Sequence, residues 1–210
     1  MSEETLEIIC ARGVIPVVPA LGAASAQALG AALKDGGLPV LEMTLRSENA
    51  LGVLRELASD PDLLVGAGTV IRPAQVEQAL AAGARFVVTP GVSVPVLERC
   101  RELQMPVIPG VATATEVIAA LDQGVDLLKL FPAEASGGVA MIKALAAPFP
   151  DVRFVPTGGV SAENAASYLK LAAVKAVGGS WMVTPAASGD FGAVATLAAQ
   201  AVKLAAEARG

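Results

Sequence analysis

The sequence predicts an α/β protein, a (β/α)8 TIM barrel with an extra N-terminal helix. Apolar, strand-like runs recur at intervals of roughly 20 residues, and each is followed by a segment rich in Ala and Leu with helical periodicity. Gly and Pro punctuate every connection between these segments. The hydrophobic fraction of 54% is high, which fits parallel strands that are buried on both faces.

The elements follow in a regular order along one predicted domain, residues 1–210, since no linker or change of composition divides the chain. An amphipathic helix over 3–11 precedes the first strand, where it would close the lower end of the barrel. Eight strands are predicted at 14–19, 40–45, 63–67, 86–89, 107–109, 127–130, 154–156 and 174–177. The alternative, a doubly wound open sheet, would need fewer strands and a crevice where the strand order reverses.

Composition and charge disfavour several classes of function. The stretch 13–33 is uncharged and long enough to span a membrane, but Pro16, Pro19 and Gly22 interrupt it, so it is predicted to be a strand, a turn and a helix. A net charge of -5 and an aromatic fraction of 3% argue against a nucleic-acid partner. No signal sequence is visible, and Cys10 and Cys100 are isolated packing residues, which fits a reducing compartment. We therefore expect a cytoplasmic protein that binds neither membranes nor nucleic acids.

The chain contains no histidine, which excludes Ser-His-Asp triads, Cys-His pairs and histidine-ligated zinc sites. Acid–base chemistry near neutral pH is left to a carboxylate, a lysine, a cysteine or the single tyrosine, Tyr168. Tyr168 lies in a helical pattern and is interpreted as a packing residue. No good set of metal ligands is present, and no cofactor is predicted.

Lys129 is the strongest candidate for a reactive group, because it lies in an otherwise apolar strand. Alternation places Leu127 and Lys129 on one face and Leu128 and Leu130 on the other. An inward-facing ammonium is desolvated, which favours the neutral amine, and a neutral amine is a nucleophile for carbonyl groups. The alternative is a structural lysine that is paired or reaches out to solvent.

The second and third strands add polar groups at the same end of the barrel, where barrel active sites are found. Alternation places Glu42, Thr44 and Arg46 on one inward face of the second strand, an arrangement that is costly to bury without a purpose. The alternative is a structural ion pair between Glu42 and Arg46. The third strand is predicted to end in a flexible turn, Gly-Ala-Gly-Thr at 66–69.

Two Gly-Gly pairs, 158–159 and 178–179, are predicted to form turns after the seventh and eighth strands. In a barrel, the loops after these two strands commonly form a phosphate site, where backbone N–H groups hold the dianion. The positions of these pairs therefore predict a phosphate-binding corner.

Six motifs together resemble the bacterial 2-keto-3-deoxy-6-phosphogluconate (KDPG) aldolases and the related 4-hydroxy-2-oxoglutarate aldolases. They run in order over nearly the whole chain: Glu-Met-Thr-Leu-Arg at 42–46, Gly-Ala-Gly-Thr at 66–69, Thr-Pro-Gly at 89–91, Leu-Lys-Leu-Phe-Pro-Ala-Glu at 128–134, Pro-Thr-Gly-Gly-Val at 156–160 and Gly-Gly-Ser-Trp at 178–181.

The resemblance implies a class I aldolase, a lyase that needs no metal or cofactor, cleaves a small phosphorylated 2-keto sugar acid and forms a homotrimer. It assigns the Schiff-base lysine to Lys129 and the proton shuttle to Glu42. The remaining implied contacts are Arg46 and Thr69 to the pyruvyl part, Pro90, Phe131 and Thr157 in the pocket, and Gly158, Gly159, Gly179 and Ser180 to the phosphate.

Three other functions stay open at this point. The C4-epimeric 6-phosphogalactonate substrate differs from the gluconate only through subtle contacts. A barrel isomerase or epimerase would normally use a carboxylate pair, histidine or metal, and would leave Lys129 unexplained. A catalytically inactive barrel could bind a phosphorylated metabolite as a sensor.

Overall fold

The computed structural model describes residues 2–19 and 21–210, and its strands are all parallel. Nine strand segments are present: β1 Val14–Val18, β2 Val40–Thr44, β3 Leu64–Gly68, β4 Phe86–Val88, β5 Val107–Ile108, β6 Gly110–Val111, β7 Leu127–Leu130, β8 Arg153–Phe154 and β9 Val177–Gly179. The hydrogen-bonded order is β5-β4-β3-β2-β1-β9 in one group and β6-β7-β8 in the other.

The two groups of strands join at both edges and close a barrel. At one edge, β5 and β6 are one strand interrupted at Pro109, which lacks the N–H for the ladder; its carbonyl still accepts a hydrogen bond of 2.8 Å from the Lys129 N–H. At the other edge, parallel bridges join Phe154 to Val174 and Thr157 to Gly178. The prediction of an eight-stranded barrel is thus confirmed, and the doubly wound sheet is excluded.

Helices follow the strands around the outside. They are α1 Ser2–Arg12, α2 Ala26–Asp35, α3 Ala50–Ala58, α4 Pro73–Ala81, α5 Val94–Glu102, α6 Ala114–Asp122, α7 Gly138–Ala146, α8 Ala165–Leu169 and α9 Phe191–Arg209, with 3₁₀ turns at Ala23–Ser25 and Thr184–Ser188. The predicted extra helix is α1. No helix within residues 2–19 and 21–210 is long and apolar enough to cross a membrane.

The last turn of α9 ties the two ends of the chain together. Arg209 donates from Nη1 to the Cys10 carbonyl at 2.9 Å and from Nη2 to the Lys175 carbonyl. Orphan carbonyls at the end of α1 and before β9 are thereby satisfied. Burial lowers the pKa of Arg209.

The buried apolar side chains form one contiguous cluster inside the barrel and between the strands and helices. Six polar or charged residues are buried with them: Thr5, Glu42, Thr44, Thr89, Lys129 and Thr157. Four of these six, at 42, 44, 129 and 157, lie in or next to strands for which functional side chains were predicted from the sequence.

Two predicted turns are strand instead, which corrects the prediction. Gly66 and Gly68 lie within β3, and Gly178 and Gly179 lie within β9, which begins at Val177 rather than at 174. Pairing with β1, in which Val14 lies opposite Val177, fixes β9 in this position. Glycine has a low intrinsic preference for strands, so the local sequence predicted turns where tertiary pairing imposes strand.

Candidate active site

Lys129 and Glu42 meet inside the barrel. Lys129 lies on β7 and Glu42 on β2, four strands apart around the barrel, so their side chains reach each other across the interior. The Lys129 Nζ lies 3.3 Å from Oε1 and 3.5 Å from Oε2 of Glu42. Lys129 is only 6% exposed and Glu42 only 3%. The amine therefore has one acidic partner close by, and solvent screens the pair little.

Glu42 pairs with Lys129 rather than with Arg46, so the predicted alternative of a structural Glu42–Arg46 pair is wrong. Strand β2 ends at Thr44, and Arg46 lies in the turn that follows, exposed to solvent. Its Nε donates to Thr44 Oγ1 at 3.2 Å. Thr44 in turn donates toward the carbonyls of Val18 and Pro19, 3.0 Å from each. The buried threonine thus anchors the arginine at the barrel mouth.

Space for Glu42 comes from a glycine on the neighbouring strand. A Cβ at Gly68 would lie 2.6 Å from Glu42 Cγ, a distance that real Cβ atoms do not adopt. Only glycine at this position leaves room for the carboxylate side chain. The motif that the sequence marked as a flexible turn is a rigid strand shaped around Glu42.

Thr69 follows directly and has a left-handed backbone, with φ of 59°. A β-branched residue rarely adopts this conformation, which costs about 1–3 kcal/mol. Hydrogen bonds on both sides impose it: the Leu45 N–H donates to the Gly68 carbonyl at 2.8 Å, and the Val70 N–H donates to the Val88 carbonyl at 3.2 Å. Strain at a half-buried residue beside the Lys129–Glu42 pair is typical of functional positions.

The predicted pocket residues lie on the loops around the lysine. The ring of Phe131 has its centroid 5.1 Å from Lys129 Nζ, within cation–π range. Thr157 is buried and forms a parallel bridge with Gly178. Pro90 is half-buried, and its loop is tied down by Thr89, whose Oγ1 donates to the Gly91 carbonyl at 2.6 Å.

The predicted phosphate corner has one turn instead of two. Gly158 and Gly159 adopt φ of 98° and 81°, so they form a turn that favours glycine. Gly179 ends strand β9, and Ser180 is the first exposed residue after it. Within the described residues, the N–H groups of Gly159 and Ser180 donate to no other protein group, whereas the N–H of Gly158 faces the Gly178 carbonyl across the parallel bridge. Two free backbone donors on two neighbouring loops suit an anion.

Tyr168 is more than the packing residue that the helical pattern predicted. It is completely buried, and its hydroxyl donates to Oε1 of Glu134 in the loop after β7. Burial and this carboxylate both raise the pKa of Tyr168. Sequence reasoning missed the contact because the two residues are far apart along the chain, although the loop that carries Glu134 belongs to the lysine motif.

The remaining nucleophiles lie away from the site. Both cysteines are free thiols, as expected. Burial raises the pKa of the Cys100 thiol to about 12, and burial also raises that of Cys10, so the thiol form is favoured for both. In the described part of the chain, no group of three or more Cys, Asp or Glu side chains could hold a metal ion.

Comparisons with known proteins agree on one family. The family model for KDPG and KHG aldolases matches residues 6–197. The 2-dehydro-3-deoxy-phosphogluconate aldolase of Dickeya dadantii is 44% identical over 199 residues, which cover 93% of each chain.

Two solved structures share the fold closely. The 2-keto-3-deoxy-6-phosphogluconate aldolase of Zymomonas mobilis, solved with 3-phosphoglycerate, has a TM-score of 0.93 and 36% identity over 97% of each chain. The KDPG aldolase of Legionella pneumophila, in which pyruvate is captured as a covalent carbinolamine, has a TM-score of 0.90 and 40% identity, over 93% of this chain and 96% of that one.

Proposed function

Since this chain belongs to the KDPG and KHG aldolase family, we propose that it is a class I aldolase that cleaves KDPG to pyruvate and glyceraldehyde 3-phosphate. The observation that carries the proposal is the buried pair, with Lys129 Nζ 3.3 Å from Glu42 Oε1. 4-Hydroxy-2-oxoglutarate, which has the same 2-oxo acid end, is a second substrate of the same chemistry. One catalytic domain over 1–210 is supported by the single apolar core.

The reaction begins with Lys129. Its neutral amine attacks the C2 ketone, and the proton that it must first lose has an acceptor in Glu42 at hydrogen-bond distance. The carbinolamine loses water and becomes a protonated imine, which withdraws electrons from C3. The C3–C4 bond then breaks, the electron pair moves into an enamine, and the C4 hydroxyl proton leaves as the aldehyde forms.

Glu42 moves the protons at each stage, through water where the distance requires it. It takes the proton of the C4 hydroxyl, returns a proton to C3 of the enamine, and assists hydrolysis of the pyruvyl imine, which frees Lys129. Arg46, anchored by Thr44 at 3.2 Å, binds the substrate carboxylate with its guanidinium. Thr69 supplies a hydroxyl beside it. The imine is the electron sink, so the route uses no metal or cofactor.

The other end of the substrate lies at the phosphate corner. The free N–H groups of Gly159 and Ser180 support binding of a dianion there, and Gly158 and Gly179 lie beside them. Pro90, Phe131 and Thr157 line the space between the phosphate and Lys129. Binding energy from the remote phosphate orients the reacting carbons.

The assembly that we propose is a homotrimer in the cytoplasm. Six large apolar side chains are exposed in the described chain, and five of them lie on α4–α6 or the loop before α4: Ile71, Leu80, Val94, Ile118 and Leu121. A concentration of exposed apolar side chains on three consecutive helices suits contact with further copies of the chain. The free thiols of Cys10 and Cys100 support a reducing compartment. The net charge of -5 and the aromatic fraction of 3% support the proposal that nucleic acid is not a partner.

Borohydride reduction with pyruvate tests the chemistry. Wild type is expected to gain a covalent pyruvyl adduct at Lys129, and Lys129→Met is expected to gain none and to lose cleavage of KDPG. Intact-mass spectrometry measures the adduct. Because Lys129→Met leaves the Glu42 carboxylate buried without a partner, a stability loss of about 3–5 kcal/mol is also expected.

Glu42→Gln is the matched variant, because it also breaks the buried pair but keeps the amine of Lys129. It should still trap pyruvate, though slowly, which shows whether the adduct is lost with the amine or with the fold. An isomerase or a sensor would gain no mass in wild type. An adduct in Lys129→Met at the wild-type rate would assign the nucleophile to another lysine. Assays with both C4 epimers decide between the gluconate and galactonate substrates.

A further inference from the structure

Glu134 and Tyr168 form a contact directly below the phosphate corner. The Tyr168 hydroxyl donates to Oε1 of Glu134, and the tyrosine ring is completely buried. Its raised pKa, caused first by burial and then by the carboxylate, keeps the hydroxyl protonated and able to donate. The hydroxyl therefore remains a hydrogen-bond donor near neutral pH.

Glu134 supports the glycine turn from below. A Cβ at Gly159 would lie 2.6 Å from Cγ and 2.7 Å from Cβ of Glu134, so the glutamate side chain fills the space under this residue. The Glu134 N–H donates to the Gly158 carbonyl at 3.0 Å, and the Ala133 N–H donates to the Thr157 carbonyl at 2.8 Å. The loop after β7 thus holds the loop after β8 by two backbone bonds and one side chain.

We propose that Tyr168 and Glu134 are positioning residues for the substrate phosphate, an inference that rests on the proposed function. The Gly158–Gly159 turn has little stiffness of its own, because glycine backbone is permissive. Donors that hold an anion must be fixed in place by a second layer of contacts. Tyr168 fixes the Glu134 side chain, and the fixed side chain sets the position of the turn and of its free Gly159 N–H group.

The Tyr168–Glu134 hydrogen bond also fixes the position of the negative charge on Glu134. The Glu134 carboxylate lies beside a corner that receives a dianion, and like charges repel. While Tyr168 holds one carboxylate oxygen, the negative charge is fixed below the turn. Without the hydroxyl, the carboxylate is free to move toward the phosphate, and the turn loses its support. Both effects weaken phosphate binding and leave Lys129 and Glu42 untouched.

The test compares Tyr168→Phe, Glu134→Ala and Glu134→Gln. Tyr168→Phe keeps the ring and removes the donor, and we expect KM for KDPG to rise about tenfold with little change in kcat. Glu134→Ala should behave in the same way, whereas Glu134→Gln keeps an acceptor for the tyrosine and should restore KM to within about threefold of wild type. Ser59→Ala is the control, because its hydroxyl makes a local bond of the same kind, to the Glu56 carbonyl at the end of α3, and does not touch the phosphate corner.

Two further readouts isolate the phosphate effect. Exchange of the pyruvate methyl protons needs Lys129 and Glu42 but no phosphate, so all variants should exchange within about twofold of wild type. The single tryptophan, Trp181, packs against Gly179, so its fluorescence is expected to change when inorganic phosphate binds at the corner. Phosphate affinity should fall about tenfold in Tyr168→Phe.

Equal losses of KDPG cleavage and pyruvate exchange in Tyr168→Phe would overturn the proposal in favour of a purely structural role, and so would an unchanged KM. Failure of the proposed function has a different signature, the absence of pyruvate exchange in wild type. The Trp181 titration with phosphate tests the positioning role even then, since it needs no catalysis.

Discussion

At the scale of single residues, burial of the Lys129–Glu42 ion pair costs free energy of desolvation, and the fold does not need the pair. Desolvation of two charges is rarely repaid by their attraction, and well-packed apolar residues would be as stable or more so. Both groups are nevertheless buried, at 6% and 3% exposure. A costly pair that could be replaced by apolar residues without loss of stability is best explained by the chemistry it performs.

Alternation and apolar context were enough to predict the inward direction of Lys129 and Glu42 from the sequence. Their direct contact could not be predicted, because it joins strands on opposite sides of the barrel. Thr44 was seen only as a hydroxyl on the inward face. Its bond to Arg46 depends on a turn that carries the arginine past the end of β2.

Glu42→Gln tests the proton shuttle. The amide cannot accept the protons that the carboxylate moves, so exchange of the pyruvate methyl protons should slow by about 10² or more, while pyruvate still binds. Proton NMR in deuterated water measures the exchange. Glu77→Gln is the control, since Glu77 is an exposed partner of Arg99. Unchanged exchange in Glu42→Gln would leave Glu42 as a structural partner of Lys129 only.

At the scale of elements, the strands next to the site are shaped by glycine. Five of the eight predicted strands lie within one residue of the observed ones, because buried parallel strands are continuous apolar runs. The fifth continues past Pro109 to Val111, the seventh ends at Phe154 rather than at 156, and the eighth is displaced by its pairing with β1. Gly178 and Gly179 lie in β9 because pairing with β1 holds them there, which no local preference could show.

Gly68→Ala tests whether strand β3 must leave space for the Glu42 side chain. The added Cβ meets Glu42 Cγ at 2.6 Å, so the carboxylate must move, and a displacement of about 1 Å can cost about 10²-fold in rate. We expect pyruvate exchange to fall at least tenfold while borohydride trapping at Lys129 persists.

Gly52→Ala is the matched control for Gly68→Ala. Nothing lies within 4 Å of a Cβ at Gly52, which is in helix α3, so alanine should stabilise the fold by about 0.5–1 kcal/mol with activity unchanged. A wild-type exchange rate in Gly68→Ala would mean that Glu42 tolerates displacement and that Gly68 serves only the strand.

At the scale of the whole molecule, the closed barrel separates the proposed reaction site from the surface that is available for association. The inner, upper end carries the reactive pair and the free N–H groups, and the outer ring of helices is available for association. Sequence periodicity predicted the number of βα units and hence this division. It could not predict which helices leave apolar side chains exposed, because exposure depends on how each helix is rotated against the barrel.

The proposed trimer is tested on the α4–α6 surface. Ile118 on α6 is 50% exposed and Ile8 on α1 is 42% exposed, so the two offer the same side chain on different sides of the barrel. Burying an isoleucine contributes about 1.5–3 kcal/mol, and a ring repeats each contact in every interface. Ile118→Glu should therefore dissociate the trimer at micromolar concentration, whereas Ile8→Glu should leave it assembled. Sedimentation velocity measures both. A monomeric wild type would refute the trimer, and dissociation by Ile8→Glu alone would move the interface to α1.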